Sequence, residues 1–236
     1  MRSRVEYGGT MPDRGDLRAL LFDFDGTLWD SESAVLEAYR RLYAEHGQDL
    51  PSEDWARGVG TLGGFDPVAD LEARLGRALE EGIAGDAGWD QVVGSLEDVG
   101  LRPGVRAYLD EARARGIRLA IVSSNDLDWV EHHLKRMEVA DAFDVVLTAD
   151  GDATRAKPSP VLYTEALGIM DVGPEAGAAI EDSPHGISAA KAAGLYCIAV
   201  PNEVTASLDL SAADLEVASL VDLPFDELLR RFGEAR

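Results

Sequence analysis

The chain has 236 residues, of which 46% are apolar and 28% charged, and it carries 44 acidic against 22 basic side chains for a formal net charge of −22. That length suits one compact domain with an insertion or two small domains, and the acidity argues against non-specific binding to nucleic acid or to an anionic membrane. The one cysteine, Cys197, excludes an internal disulfide and fits a reducing cytoplasm, and no apolar stretch reaches the length of a membrane span.

Residues 1–16 are polar and Gly-rich, with no apolar h-region, and read as a disordered lead rather than a signal peptide; Met11 is a candidate start. The run 19–24 reads as a buried strand, and it ends in Leu20-Leu-Phe-Asp-Phe-Asp-Gly-Thr27. Asp23 and Asp25 therefore stand at a strand's carboxyl end, where open α/β sheets bind ligands, on one face of the strand. Two like charges so close need a cation or a shared proton. The pair is suited to holding a hard cation, to acid–base or nucleophilic chemistry, or to both.

Helical spacing follows, with Val35, Leu36, Tyr39, Leu42 and Tyr43 on one face and Gly47 as a stop. Asp66-Pro67 is a cap followed by Pro at the first helical position, with Val68, Leu71 and Leu75 as the apolar face. Between them lies the loop Gly58-Val-Gly-Thr-Leu-Gly-Gly-Phe65. No strand pattern occurs between residues 31 and 99, so this is an all-helical insert. From Arg102-Pro103-Gly104 onward, strands alternate with helices. Strands are expected at 117–123, 144–148, 178–182, 195–200 and 215–221, with helices around Val105, Leu127, Val161 and Ser183-Pro184 and over 225–232. That alternation predicts an α/β fold, a three-layer core with a central parallel sheet.

Four strand–helix junctions then share one edge. They carry Asp23 and Asp25, Ser123 and Ser124 before Asn125, Glu181 and Asp182, and Lys157 at the start of the Val161 helix. Three of them have a plain structural explanation by themselves, a helix cap for the serines, a dipole match for Glu181 and Asp182 and a solvated surface lysine, whereas Asp23 and Asp25 gain nothing structurally from a strand end. Their joint occurrence in this order points to phosphoryl transfer. Carboxylates ligate Mg²⁺, while a hydroxyl, helix-start N–H groups and a lysine hold phosphoryl oxygens. One Asp can attack phosphorus while the other handles the leaving-group proton.

In these same residues the chain resembles the haloacid-dehalogenase-like phosphohydrolase superfamily. Asp23-Phe-Asp25-Gly-Thr27 matches its first motif, Ser123 the second, Lys157 the third and Glu181-Asp182 the fourth. The insert resembles the small helical cap of the β-phosphoglucomutase-like subfamily. Glu181-Asp-Ser-Pro-His-Gly-Ile187, Ala189-Ala-Lys-Ala-Ala-Gly194 and Lys157-Pro-Ser-Pro160 are close to that subfamily's pattern. The resemblance implies a Rossmann-like core over 17–30 and 100–236 and a helical cap over 31–99. It implies Asp23 as a nucleophile forming an aspartyl phosphate and Asp25 as the acid and base. Mg²⁺ would be held by Asp23, the backbone carbonyl of Asp25 and Asp182, with Glu181 a further ligand or supporting partner. Ser123, the N–H of Ser124 and Lys157 would bind the phosphoryl group.

The implied function is a Mg²⁺-dependent phosphatase of a small phosphorylated metabolite, a sugar phosphate first. A cytoplasmic monomer or weak homodimer, with no nucleic-acid or membrane partner, is expected. A β-phosphoglucomutase-like mutase is the alternative enzyme. At the hinge positions where that pattern carries Thr and His this chain has Ser31 and Val35, which favours hydrolysis. Asp25 would be superfluous in a dehalogenase, and no lysine precedes Lys135 to serve a phosphonatase. A catalytically silent binding protein on the same fold is the alternative of another class. Thr61 and Phe65 are candidate leaving-group contacts. His132 is read as a surface residue, His133 as half-buried and His185 as a solvated loop residue near the site mouth. Trp29 is read as core–cap packing or entrance lining, and Trp55, Trp89 and Trp129 as packing residues.

Overall fold

The computed structural model describes residues 16–62, 64–80, 94 and 96–235. The expected lead up to residue 15, Gly63 and Trp89 lie outside these. The chain forms β1 (Ala19–Phe22), β2 (Arg118–Ser123), β3 (Val145–Thr148), β4 (Gly177–Glu181), β5 (Tyr196–Ala199) and β6 (Leu215–Glu216), all parallel, in the order β3-β2-β1-β4-β5-β6. The chain builds outward from β1 on one side, then returns to lay β4 on the other. The switch in strand order therefore falls beside β1, where open sheets leave a ligand crevice at their carboxyl ends.

The strands read as continuous apolar runs because both faces are covered. Leu20, Phe22, Leu119, Ile121, Ile180 and Ile198 face one cluster, against α4 (Val105–Ala114), α5 (Leu127–Arg136) and α8 (Phe225–Glu234). The opposite face carries smaller residues, Ala19, Ala120, Ala179, Cys197 and Ala199. It packs on α6 (Val161–Met170) and α7 (Pro184–Ala192). Removing these side chains from water, at roughly 25 cal/mol per Å² of apolar surface, is the main force holding the layers together.

Three helices lie between β1 and α4 among the described residues: α1 (Ser31–Glu45), α2 (Ser52–Gly58) and α3 (Pro67–Leu75). Asp30 caps α1 by accepting from Ser33 N, and Asp66 caps α3 through Val68 N and Ala69 N. They share a small apolar cluster of their own, with Leu36, Tyr43, Val59 and Leu71 buried and Tyr39, Trp55 and Phe65 packed against it. Tyr43 ties α1 to α3, its one hydroxyl proton lying between two acceptors, Pro67 O at 2.7 Å and Asp70 Oδ2 at 2.8 Å.

Four expectations are corrected. The first strand stops at Phe22, so the aspartates lie in the turn beyond it rather than on one strand face. The last strand shrinks to two residues at Leu215–Glu216, paired with Ile198 and Ala199 of β5, and Leu220–Asp222 winds into a 3₁₀ turn because the Ser219 side chain accepts from Val221 N and caps it. His133 is fully buried, not half-buried. His185 belongs to α7 and its Nε2 lies 3.2 Å from the Arg57 carbonyl, so it bridges the sheet region and the helical block.

Candidate active site

Register sets the site. Phe22 pairs with Ile121 on one side and Ile180 on the other, and Asp23 N donates to Ile180 O at 3.0 Å. One residue beyond these pairs come Asp23 and Glu181, and two beyond comes Asp182, all on the same edge. Each offers a carboxylate oxygen within 4.8 Å of the others'. Gly26 turns the chain with φ +81°, and a Cβ there would sit 2.4 Å from Asp182 Oδ2, so glycine is required on both counts. Arg102 clamps this turn, donating to Gly26 O at 2.6 Å, Val200 O at 2.7 Å and Pro201 O at 2.7 Å.

Lys157 is 2% exposed, which rules out a solvated surface role. Its ammonium bonds to Asp23 Oδ1 and lies 2.7 Å from Glu181 Oε1, which also accepts from the Tyr163 hydroxyl. Burial would push the Lys157 ammonium down, but Asp23 and Glu181 outweigh it and hold its pKa up. The second oxygens, Asp23 Oδ2 and Glu181 Oε2, are buried without a hydrogen-bond partner among the described residues. Burial, then the Asp23 and Glu181 charges, drives Asp182 well above the usual carboxylate range. Burial also raises Glu181, to about 7, although Lys157 pulls against it. Orphaned hard oxygens on crowded buried carboxylates are what a divalent oxygen-seeking cation relieves. The donor set therefore fits Mg²⁺.

Asp25 is separated from this cluster by its partners. Its Oδ1 accepts from Ser31 Oγ at 2.8 Å and from the Trp129 indole N–H at 3.1 Å, and its Oδ2 from Asn125 Nδ2 at 3.2 Å. Burial, and then Asp23, raise its pKa, while those three donors pull it down. Ser123 Oγ accepts from Asn125 N at 3.0 Å. Ser124 Oγ donates to Gly60 O and accepts from Lys157 N, each at 3.1 Å. Thus Asp23, Asp25, Ser123, Ser124, Lys157, Glu181 and Asp182 all meet at one edge.

Other residues join them without having been singled out from sequence. Trp129, expected to be packing, binds Asp25. Asn125 follows the two serines and holds Asp25 from the other side. Asn202 donates to Asp182 Oδ2 at 2.7 Å, with no signal in its own sequence context. Glu32, the second residue of α1, lines a cavity of about 300 Å³ that opens from Asp25. The expected loop borders the same cavity through Gly60, Thr61 and Phe65. Thr61 Oγ1 donates to Lys157 O at 2.5 Å. Gly60, at φ +81°, approaches so closely that a Cβ would meet Ser183 Oγ at 2.3 Å. Trp29 is wholly buried, stacked near His133 and Trp129 at 4.3 and 6.0 Å between centroids, so it packs and does not line the entrance.

A parallel sheet with paired acids at its central strand end, a buried lysine and a carboxylate cluster defines a phosphoryl-handling hydrolase. The chain belongs to the haloacid dehalogenase-like hydrolase family, whose model matches residues 17–194, and it is a phosphoric monoester hydrolase. It is 37% identical over 213 residues to the protein of Bacillus subtilis named "Putative phosphatase YhcW", covering 90% of this chain and 96% of that one. It is 29% identical to the phosphorylated carbohydrates phosphatase of Thermotoga maritima, covering 92% and 99% of the two chains. A crystal structure of CbbY from Rhodobacter sphaeroides in complex with xylulose-(1,5)bisphosphate superposes with a TM-score of 0.65 at 30% identity, over 88% and 96%. No helix among the described residues is long and apolar enough to cross a membrane.

Proposed function

We propose that the chain is a Mg²⁺-dependent phosphatase of small sugar phosphates, working through an aspartyl phosphate. The observation that carries this is Asp23. One of its oxygens is paired with a buried ammonium, and the other is unpartnered beside two further carboxylates. In this reading Asp23 attacks phosphorus, and the new O–P bond forms as the ester P–O bond breaks. Asp25 passes its proton to the departing alkoxide. Its carboxylate then takes a proton from a water that attacks phosphorus, which releases phosphate and frees Asp23. Ser123, the N–H of Ser124 and Lys157 hold the phosphoryl oxygens.

Asp23, the Asp25 carbonyl and Asp182 would hold Mg²⁺, with Glu181 supporting. The ion would offset the charge of nucleophile and phosphate as they approach. The block 31–99 acts as a cap on the core 17–30 and 100–236, excluding bulk water from the intermediate's surroundings. The carbohydrate-directed name of the Thermotoga relative supports the sugar phosphate class. The bisphosphate in the CbbY complex raises a second substrate class.

Phosphate release from p-nitrophenyl phosphate, with Mg²⁺ and with a chelator, tests the reading, followed by a panel of sugar phosphates. Turnover that requires Mg²⁺ is expected. Activity unaffected by chelation would remove the metal from the scheme. Isomerisation of a sugar phosphate without free phosphate would indicate a mutase.

A further inference from the structure

The cavity that opens from Asp25 has a distinctive charge. Its described lining includes the carboxylates of Asp25 and Glu32 and no lysine, arginine or histidine. Glu32 makes no hydrogen bond or ion pair among the described residues. Burial, then the charges of Asp25, Asp23 and Asp30, push its carboxyl up to about 8, a sign of how negative this space already is. The described cations of the helical block are engaged elsewhere or exposed. Arg40 pairs with Glu37 and Glu203, Arg57 with Glu53 and Asp54, and Arg74 with Asp70, while Arg41 and Arg77 are exposed. Residues 81–93 contain no lysine, arginine or histidine either. At the reacting end, Lys157 is already matched by Asp23 and Glu181.

The remaining walls are aromatic and hydrogen-bonding. Tyr39 and Trp55 lie 5.4 Å apart, centroid to centroid, and Phe65 adds a third apolar surface. Aromatic faces suit the C–H faces of a carbohydrate ring, and a free carboxylate accepts from hydroxyl groups. The volume of about 300 Å³ suits one small leaving group.

We infer that this cavity selects monophosphate esters of neutral polyhydroxylated alcohols and rejects substrates that carry a second phosphate, with Glu32 the residue that sets this choice. The inference rests on the phosphatase reading, which places the leaving group beside Asp25. Once Glu32 is ionised, above its raised pKa, a second phosphate would be desolvated against it with no cation among the described lining residues to receive it, whereas hydroxyl groups would satisfy that carboxylate.

The test uses p-nitrophenyl phosphate hydrolysis with Mg²⁺ as reporter at pH 9, where Glu32, raised to about 8, is ionised. It compares inhibition constants within two pairs, fructose 6-phosphate against fructose 1,6-bisphosphate and glucose 6-phosphate against glucose 1,6-bisphosphate. Each monophosphate should compete at least about 10-fold more tightly than its bisphosphate. Glu32→Gln should narrow that gap about 3-fold, and Glu32→Lys should close or reverse it. Equal inhibition by mono- and bisphosphates, no inhibition by either, or a ratio unmoved in both variants would overturn the inference while leaving hydrolysis of the reporter in place. Absence of reporter turnover in the unmodified protein would instead strike the phosphatase reading itself.

Discussion

The sheet edge and the helical block above it face the same space but are built on opposite terms. At the edge, polar groups are buried and tied to one another: Lys157 to Asp23 and Glu181, Asn202 to Asp182, and Ser31, Asn125 and Trp129 to Asp25. The block reaches the edge through a few polar contacts made by both its backbone and its side chains. Ser124 bonds to Gly60 O, Thr61 to Lys157 O and His185 to the Arg57 carbonyl. The edge demands particular residues because its charges cannot be left unpaired in a dry site. The block needs only to pack and to present Glu32, Tyr39, Trp55 and Phe65 to the cavity. In the proposed reading, chemistry resides in the edge and selectivity in the block.

This division can be broken by substitution. Asp23→Asn should lower kcat by roughly 10⁴-fold or more on every substrate, because an amide cannot form the acyl phosphate. Steady-state rates on aryl and sugar phosphates check this, and appreciable residual activity would remove covalent catalysis. In the block, Gly60→Ala forces a left-handed backbone angle on alanine and drives its Cβ into Ser183 Oγ. It should cost about 1–3 kcal/mol of closure, seen as a raised KM with kcat less affected. A loss confined to kcat would mean that the loop serves chemistry directly.

Trp129 stands between the two regions, since it is anchored in α5 and reaches Asp25. Trp129→Phe keeps the ring and deletes the N–H donor. It should slow hydrolysis of alkyl phosphates about 10-fold. Esters with a good leaving group, such as p-nitrophenyl phosphate, need little proton donation and should change less. A uniform loss on both would assign Trp129 to packing alone.

The smallest effect concerns pH and stability. Glu181 and Glu32 have folded pKa values raised to about 7 and about 8 from an ordinary 4.5. An acid raised on folding binds more protons folded than unfolded between those values, so stability falls as pH rises through that window. The metal-free protein should melt lower at pH 8 than at pH 5, other contributions being equal. Added Mg²⁺ should raise the melting temperature more at pH 8, as thermal unfolding at the two pH values would read. An equal Mg²⁺ effect at both would argue against the carboxylate cluster as the binding site.

The order of strands and helices after residue 100 was legible because parallel strands buried on both faces must be apolar throughout and must be separated by helices. Asp23, Asp25, Ser123, Ser124, Lys157, Glu181 and Asp182 were legible because each sits at a strand–helix junction, and such junctions share one edge in a parallel sheet. The end of β1 at Phe22 was not, since Phe24 continues the apolar pattern although it has left the ladder. Nor were the roles of Trp129 and Asn202, because no spacing in the chain relates them to Asp25 or Asp182.

The sequence by itself determined the layers, the edge and the residue types that meet there. Strand periodicity and junction chemistry are local, and a parallel sheet turns them into a common edge. Only the tertiary structure decided how the two opening aspartates divide. Asp23 falls to the buried ammonium and the carboxylate cluster, and Asp25 to the three donors around the cavity. The tertiary structure also decided that Glu32 should face a cavity whose described lining holds no lysine, arginine or histidine. Those outcomes depend on side chains brought together from distant segments, and their charges act through space rather than along the chain.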